Sequence, residues 1–166
     1  MVPVTVLFIM KKTTIPKPML DEIFDQAKRE YPNECCGMIM EKSESGALRL
    51  YPCENVQNEH HKMDPENFPR TAATAYFIDP SQLLKIQKEN REKNEKVKII
   101  YHSHINAGAY FSEEDARVAA CEGEPAYPGV DYLVVSVRNR EVDDHKYFKW
   151  EPKTKKFILT EEYQAL

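Results

Sequence analysis

The sequence predicts one α+β domain. Three observations carry that expectation: a length of 166 residues, which favours one compact core over two; helical and extended patterns that follow one another without the strict alternation of a doubly wound parallel sheet; and no internal repeat or low-complexity tract. Apolar residues make up 42% of the chain and charged residues 30%, which supports an ordinary core and excludes wholesale disorder. The net charge of -4 argues against a general phosphate-backbone binder. No apolar run reaches the roughly 18 residues that span a bilayer. Neither nucleic acid nor a membrane is therefore expected as a partner, and a cytoplasmic location is.

Residues 1–9 are apolar and precede Lys11 and Lys12, the reverse of a signal peptide's charge order, and no small-residue cleavage site follows. Residues 1–14 read as an N-terminal extension or an added edge strand, with Met10 an alternative start. Pro16-Lys17-Pro18 suits the first turn of a helix, where a proline forfeits no hydrogen bond. Leu20, Ile23, Phe24, Ala27 and Tyr31 then keep the i, i+3, i+4, i+7 spacing of one buried face, and Pro32-Asn33 stops the helix. Residues 35–40 read as a buried strand and 47–51 as a second, after a turn at 43–46. Residues 54–74 form a long polar connection whose His60-His61 pair is expected to be solvated.

Strand character resumes at 76–78. Asp79-Pro80-Ser81-Gln82 then supplies an N-cap, a first-turn proline and a capping partner for a charged helix running to about Asn94. Residues 97–101 make a short apolar strand that runs into His102-Ser103-His104. Another helix begins near Ser112, residues 131–137 read as a central strand, and strands around Phe148/Trp150 and at 157–159 form a closing hairpin. The domain is placed at 15–160 and a C-terminal tail at 161–166. Cys35, Cys36, Cys53 and Cys121 include no C-x-x-C pair, so they read as small buried hydrophobes in a reducing compartment.

Chemistry concentrates in His102-Ser103-His104, seven residues, then Ser112-Glu113-Glu114-Asp115. On an extended backbone residues i and i+2 share a face, so both imidazoles reach one metal, and Asp115 in the first turn of the next helix can swing back toward them. Two histidines and one carboxylate form a three-ligand set for catalytic zinc, with the fourth tetrahedral position left for water. Ser112 and Asp115 also read as a helix cap. Ser103 should face away from the ligands.

With Glu34, in Pro32-Asn33-Glu34-Cys35-Cys36-Gly37, the pattern resembles the JAMM (MPN+, JAB1/Mov34) metalloprotease family: a glutamate near the first strand, His-[Ser/Thr]-His, seven residues, Ser, two residues, Asp. The likeness runs from about residue 15 to 150 and is nearest the small bacterial branch, which includes peptidases acting on sulfur carrier proteins. Two positions depart from the usual prolines: Ile105 after the second histidine and Phe111 before the serine.

The resemblance implies an MPN/JAMM-like, cytidine-deaminase-like domain with a mixed, curved β-sheet flanked by helices. It also implies Zn2+ held by His102, His104 and Asp115, with Glu34 as general acid/base and Ser112 as oxyanion donor. The implied activity is zinc-dependent hydrolysis of the bond after the C-terminal Gly-Gly of a ubiquitin-like or sulfur carrier protein, releasing an amino acid such as cysteine. The alternative is an isopeptidase that removes ubiquitin-like modifiers from target lysines. Implied partners are the carrier, whose tail lies in a groove walled in part by residues 54–74, and the E1-like adenylyltransferase pathway that activates such carriers. A ligand-less MPN scaffold and a RadC-like, nucleic-acid-associated protein fit less well, given the full polar set and the acidic balance.

Overall fold

In a computed structural model, described for residues 12–166, the chain is a mixed sheet with helices on both faces. Six strands lie in the order β3 (Leu48–Cys53), β2 (Cys36–Lys42), β4 (Glu95–Ile105), β7 (Asp131–Arg138), β8 (Glu141–Glu151), β9 (Lys156–Thr160). Only β4 and β7 run parallel; the other neighbours are antiparallel. A strand covered on both faces must be apolar throughout, and the centres of β4 and β7 are buried residue after residue.

Alternation divides that apolar content between two layers. Ile99 and Tyr101 of β4, with Leu133, Val135 and Val137 of β7, face helix α1 (Lys17–Glu30) and its Leu20, Ile23 and Ala27. Ile100, Tyr132 and Val134 face the other way, toward Ile86 of helix α3 (Pro80–Lys93) and Ala119 of helix α4 (Glu113–Ala119). His102 and His104 fall on this second face; Ser103 falls on the α1 face.

Several details differ from the sequence expectation. The polar connection contains a helix, α2 (Gln57–Met63), and instead of being solvated His60 packs against the rings of Phe68 and Phe77 at 4.8 and 4.3 Å while His61 Nδ1 lies 2.7 Å from the Phe68 carbonyl. Residues 76–78 make only an isolated bridge, between Asn55 and Ile78. Asp79 caps α3 by accepting from Ser81 N at 2.9 Å, but Gln82 turns away to accept from Glu54 N. The residues read as a tail include strand β10 (Tyr163–Ala165), which pairs in parallel with β1 (Thr13–Ile15). Short β5 (Ala120–Cys121) and β6 (Glu124–Pro125) form a separate hairpin that leaves Cys121 exposed, while the other three cysteines are buried and free. The reading of residues 1–9 and of Met10 lies outside the described residues.

One contact ties α1 to the sheet centre. Gly37 and Tyr101 are cross-strand partners, and a Cβ on Gly37 would stand 2.2 Å from the Tyr101 hydroxyl. That hydroxyl donates to Gln26 Oε1 at 2.6 Å, and Gln26 Nε2 donates to the Cys36 carbonyl at 3.0 Å. Gly37→Ala must therefore expel a buried ring and break this chain of bonds. It should cost about 2–4 kcal/mol in urea-unfolding stability, whereas Tyr101→Phe, which strands the Gln26 oxygen, should cost about 1–3 kcal/mol.

Candidate active site

The C-terminal end of β4 and the start of α4 bring three ligand-type side chains together. His102 Nε2 lies 3.2 Å from His104 Nε2. Asp115 Oδ1 is 3.1 Å from the first ring nitrogen, and Asp115 Oδ2 is 3.1 Å from the second. All three residues are buried.

The protons decide what this trio wants. His104 Nδ1 is 2.9 Å from the Gly108 carbonyl, which only accepts, so Nδ1 carries the hydrogen and a neutral His104 turns an unprotonated Nε2 toward Asp115. Lone pairs on nitrogen and carboxylate oxygen thus face one another at 3.1–3.2 Å, an arrangement that only a shared proton or a cation makes favourable. Ligands about 2.0–2.1 Å from a tetrahedral ion stand about 3.3–3.4 Å apart, close to these separations. The donor set fits zinc. Burial alone would raise the Asp115 pKa, but protons shared from the facing His102 and His104 nitrogens, whose place a metal ion would take, together with the Ser112 backbone N–H, outweigh it and hold the carboxyl well below the usual range.

Secondary contacts fix the ligands. Tyr76 stacks on His102 with ring centroids 4.6 Å apart. Ser112 and Asp115 form a reciprocal capping box: Ser112 Oγ accepts from Asp115 N at 3.0 Å, and Asp115 Oδ2 accepts from Ser112 N at 2.9 Å. Cap and site are therefore one structure. Because the cap uses a lone pair of Ser112 Oγ, the hydroxyl hydrogen remains free to donate.

The loop between His104 and Ser112 is held without the two prolines. Asn106 adopts a positive φ of 52° and accepts through Oδ1 from Asn139 N at 3.0 Å, and Ser136 Oγ donates to the Ala107 carbonyl at 2.6 Å. Phe111 anchors the other end among Tyr132, Phe148 and Phe157. Ile105 lines the cleft beside the ligands.

Glu34 comes from before β2 but is fixed by three separate segments. Its N–H donates to the Ala72 carbonyl at 2.7 Å, and its carbonyl accepts from Asn55 Nδ2 at 2.8 Å. Next to it, Cys35 N donates to Ser103 Oγ at 2.7 Å while Ser103 N donates to the Cys35 carbonyl at 3.1 Å. Ser103 does face away from the ligands, and there it locks the Glu34 segment to their strand. The Glu34 side chain is 5% exposed, and its Oε2 is buried without a hydrogen-bond partner. Burial and the nearby Asp115 charge push its pKa up to about 9, against partial relief from Arg70. A dication beside it would act in the same sense as Arg70.

Glu34, His104 and Ser112 line one cleft of about 130 Å³ together with Arg70, Ala73, Thr74, Ile105, Ala107 and Tyr110. A larger groove of about 650 Å³ shares Arg70 and is walled by Gln57, Phe68, Phe77, Arg117 and Val118. Sequence reasoning missed Asn55, Arg70, Tyr76 and Tyr110, because none stands at a motif spacing; the polar, proline-rich character of residues 54–74 was the one available signal.

Comparison with known proteins identifies the family and the fold. Residues 16–150 match the family described as prokaryotic homologs of the JAB domain. Over 130 residues the chain is 26% identical to the CysO-cysteine peptidase of Mycobacterium tuberculosis, spanning 78% of this chain and 73% of that one. A solution structure of a Desulfitobacterium hafniense protein has the same fold, with a TM-score of 0.67 at 22% identity over 92% of both chains. So does the crystal structure of a JAB1/MPN domain protein from Archaeoglobus fulgidus, with a TM-score of 0.50 at 15% identity over 93% of this chain and 99% of that one. The chain belongs to the prokaryotic JAB branch of the JAMM/MPN family.

Proposed function

We propose that the protein is a zinc-dependent peptidase that hydrolyses the bond after the C-terminal Gly-Gly of a sulfur carrier protein and releases an amino acid such as cysteine. The observation that carries this reading is the convergence of an unpartnered buried carboxylate, Glu34, with the Ser112 hydroxyl and His104 of the His102–His104–Asp115 trio on one cleft. Similarity to a protein named CysO-cysteine peptidase supports the carrier and the leaving group.

His102, His104 and Asp115 would hold a zinc ion, which when bound would supply Lewis acidity and lower the pKa of a water from about 15.7 toward about 7. Glu34 accepts the water proton on its free Oε2 and returns it to the leaving nitrogen, the general acid/base role. Ser112 donates its uncommitted hydroxyl hydrogen to the oxyanion. Gly108 holds His104 in the tautomer the trio needs, and Tyr76 holds the ring of His102 in place by stacking. The carrier's tail, which has little side-chain surface of its own, lies along the groove walled by α2 and Phe77.

Zinc should bind at close to one ion per chain and be lost from the His102→Ala/His104→Ala variant by elemental analysis. Because the ligands must shed protons, affinity should weaken as pH falls. Chelation should abolish activity while circular dichroism shows the sheet retained.

Glu34→Gln should lower turnover by about 10²–10⁴-fold with zinc retained. In metal-free protein the sign for stability is opposite. The raised pKa means that ionised Glu34 weakens the fold progressively from about pH 4.5, its ordinary value, up to about 9. Across that window Glu34→Gln should unfold at a higher temperature than the parent.

Ser112→Gly separates the two duties of the serine, since glycine at an N-cap costs only a few tenths of a kcal/mol. Stability should barely change, while kcat falls by about 10²–10³-fold for loss of an oxyanion donor.

Substrate class is tested by cleaving a sulfur carrier ending in Gly-Gly-Cys beside a short peptide with the same terminus. The carrier should be cut far faster, because remote binding energy positions the scissile carbonyl. Equal rates would exclude carrier recognition, and a preference for the same carrier joined to a lysine side chain would replace this reading by the isopeptidase one.

A further inference from the structure

The cleft lined by Glu34, His104 and Ser112 contains one Lys or Arg among its lining residues, Arg70, and the proposed mechanism gives it no contact with substrate. Its backbone is rigidly placed. The Arg70 carbonyl accepts from Gln57 Nε2 at 2.8 Å, Ala72 N donates to Asn58 Oδ1 at 2.7 Å, and the Ala72 carbonyl receives the Glu34 N–H. One of the bonds that position Glu34 thus anchors the chain two residues from Arg70.

Its guanidinium, by contrast, is barely committed. It reaches the Thr74 carbonyl at 3.4 Å and the Glu114 carboxylate only at 4.0 Å, and its side chain is 49% exposed. Glu114 is already engaged by Arg117 at 2.7 and 3.0 Å, so it competes weakly. Most of the five N–H donors of Arg70 are free to face the cleft, in the planar fork that matches a carboxylate.

A carboxylate-bearing substrate needs such a partner here. With zinc balancing the carboxylates, Arg70 is the side-chain cation of the cleft lining that a substrate carboxylate can meet. In the peptidase reading the released residue is the last of its chain, so its carboxylate sits on the carbon that bears the leaving nitrogen. In a lysine isopeptide that nitrogen is attached to a methylene chain, with no carboxylate near it. The geometry points to Arg70 as the residue that binds the free α-carboxylate of the leaving amino acid and so restricts the enzyme to C-terminal residues, an inference that rests on the proposed peptidase activity.

The test uses the zinc-loaded protein and one sulfur carrier ending in Gly-Gly-Cys, prepared as the free acid and as the C-terminal amide. The parent should prefer the acid by about 10- to 100-fold in kcat/KM, the value of a charge-assisted hydrogen bond. Arg70→Gln should lose the acid-over-amide preference whatever change in rate the two forms share, and Arg70→Lys should retain part of that preference, because an ammonium keeps the charge but not the fork. Removing Arg70 also alters the field at Glu34, but that effect touches both substrates equally and leaves their ratio unchanged. Binding to the Glu34→Gln protein, measured by calorimetry, should show the same acid-over-amide preference, erased by adding Arg70→Gln.

A parent that cleaves both forms equally, or an Arg70→Gln variant that keeps the parent's acid-over-amide ratio, overturns the assignment of Arg70 while leaving the peptidase reading intact. A parent that cleaves neither carrier overturns the peptidase reading itself, and the inference with it.

Discussion

The pair of hydrogen bonds between Cys35 and Ser103 is the constraint on which the site depends. Strand alternation sends His102 and His104 to one face of β4 and leaves Ser103 on the other, against α1. A serine there would be a buried polar group in an apolar layer unless it found partners. It finds them in the Cys35 backbone, donating from its own N–H and accepting at Oγ. The residue between the two ligands is thus bound to the residue after the general-base candidate. Strand and glutamate cannot drift apart without stranding buried donors.

The same economy recurs around Asn55. Its amide nitrogen donates to the carbonyls of Glu34 and Ala75, and its oxygen accepts from Gln57 N and Phe77 N. One side chain thereby joins the Glu34 turn, α2 and the segment leading to Tyr76. A connection of 21 residues, 54–74, would ordinarily be mobile. Here it is fastened by its buried polar groups rather than by an apolar core, and it carries Arg70, Tyr76 and the groove wall into place.

The fold was largely legible because its signals are periodic and local. The apolar spacing of α1, the unbroken burial of β7 and the Asp79–Pro80 start of α3 each depend on a few adjacent residues. The trio was legible for the same reason: His102 and His104 are two apart on one strand, and Asp115 follows in the next first turn. What could not be read were contacts between distant segments. Nothing local to Asn55 marks it as a hub, nothing in His60-His61 announces the Phe68 and Phe77 rings, and the pairing of β10 with β1 joins residues about 150 positions apart. Ser103 is intermediate: alternation sets its direction, but its partner comes from another strand. Phe111 and Ile105 show the converse limit. A motif expects prolines there, yet the loop is held instead by an aromatic anchor and by Asn106 in the left-handed region.

The capping box of α4 shows how little extra structure the chemistry demands. A helix of seven residues is too short to persist on its own and needs its first turn satisfied. Ser112 and Asp115 satisfy it reciprocally, and the bond that closes the cap also aims Asp115 Oδ2 at His104. The N–H that steadies the Asp115 charge is thus supplied by the cap. Glu34 has no such support: its Oε2 is buried without a partner. One carboxylate is held firmly ionised while the other is pushed toward its neutral form, within a single cleft. That split is what separates a metal ligand from a proton carrier. A ligand must stay charged to hold the ion, and a carrier must exchange its proton near neutral pH. On the proposed reading, two chemically similar side chains take different roles because one sits in a helix cap and the other in a dry turn, and both environments are consequences of local backbone structure.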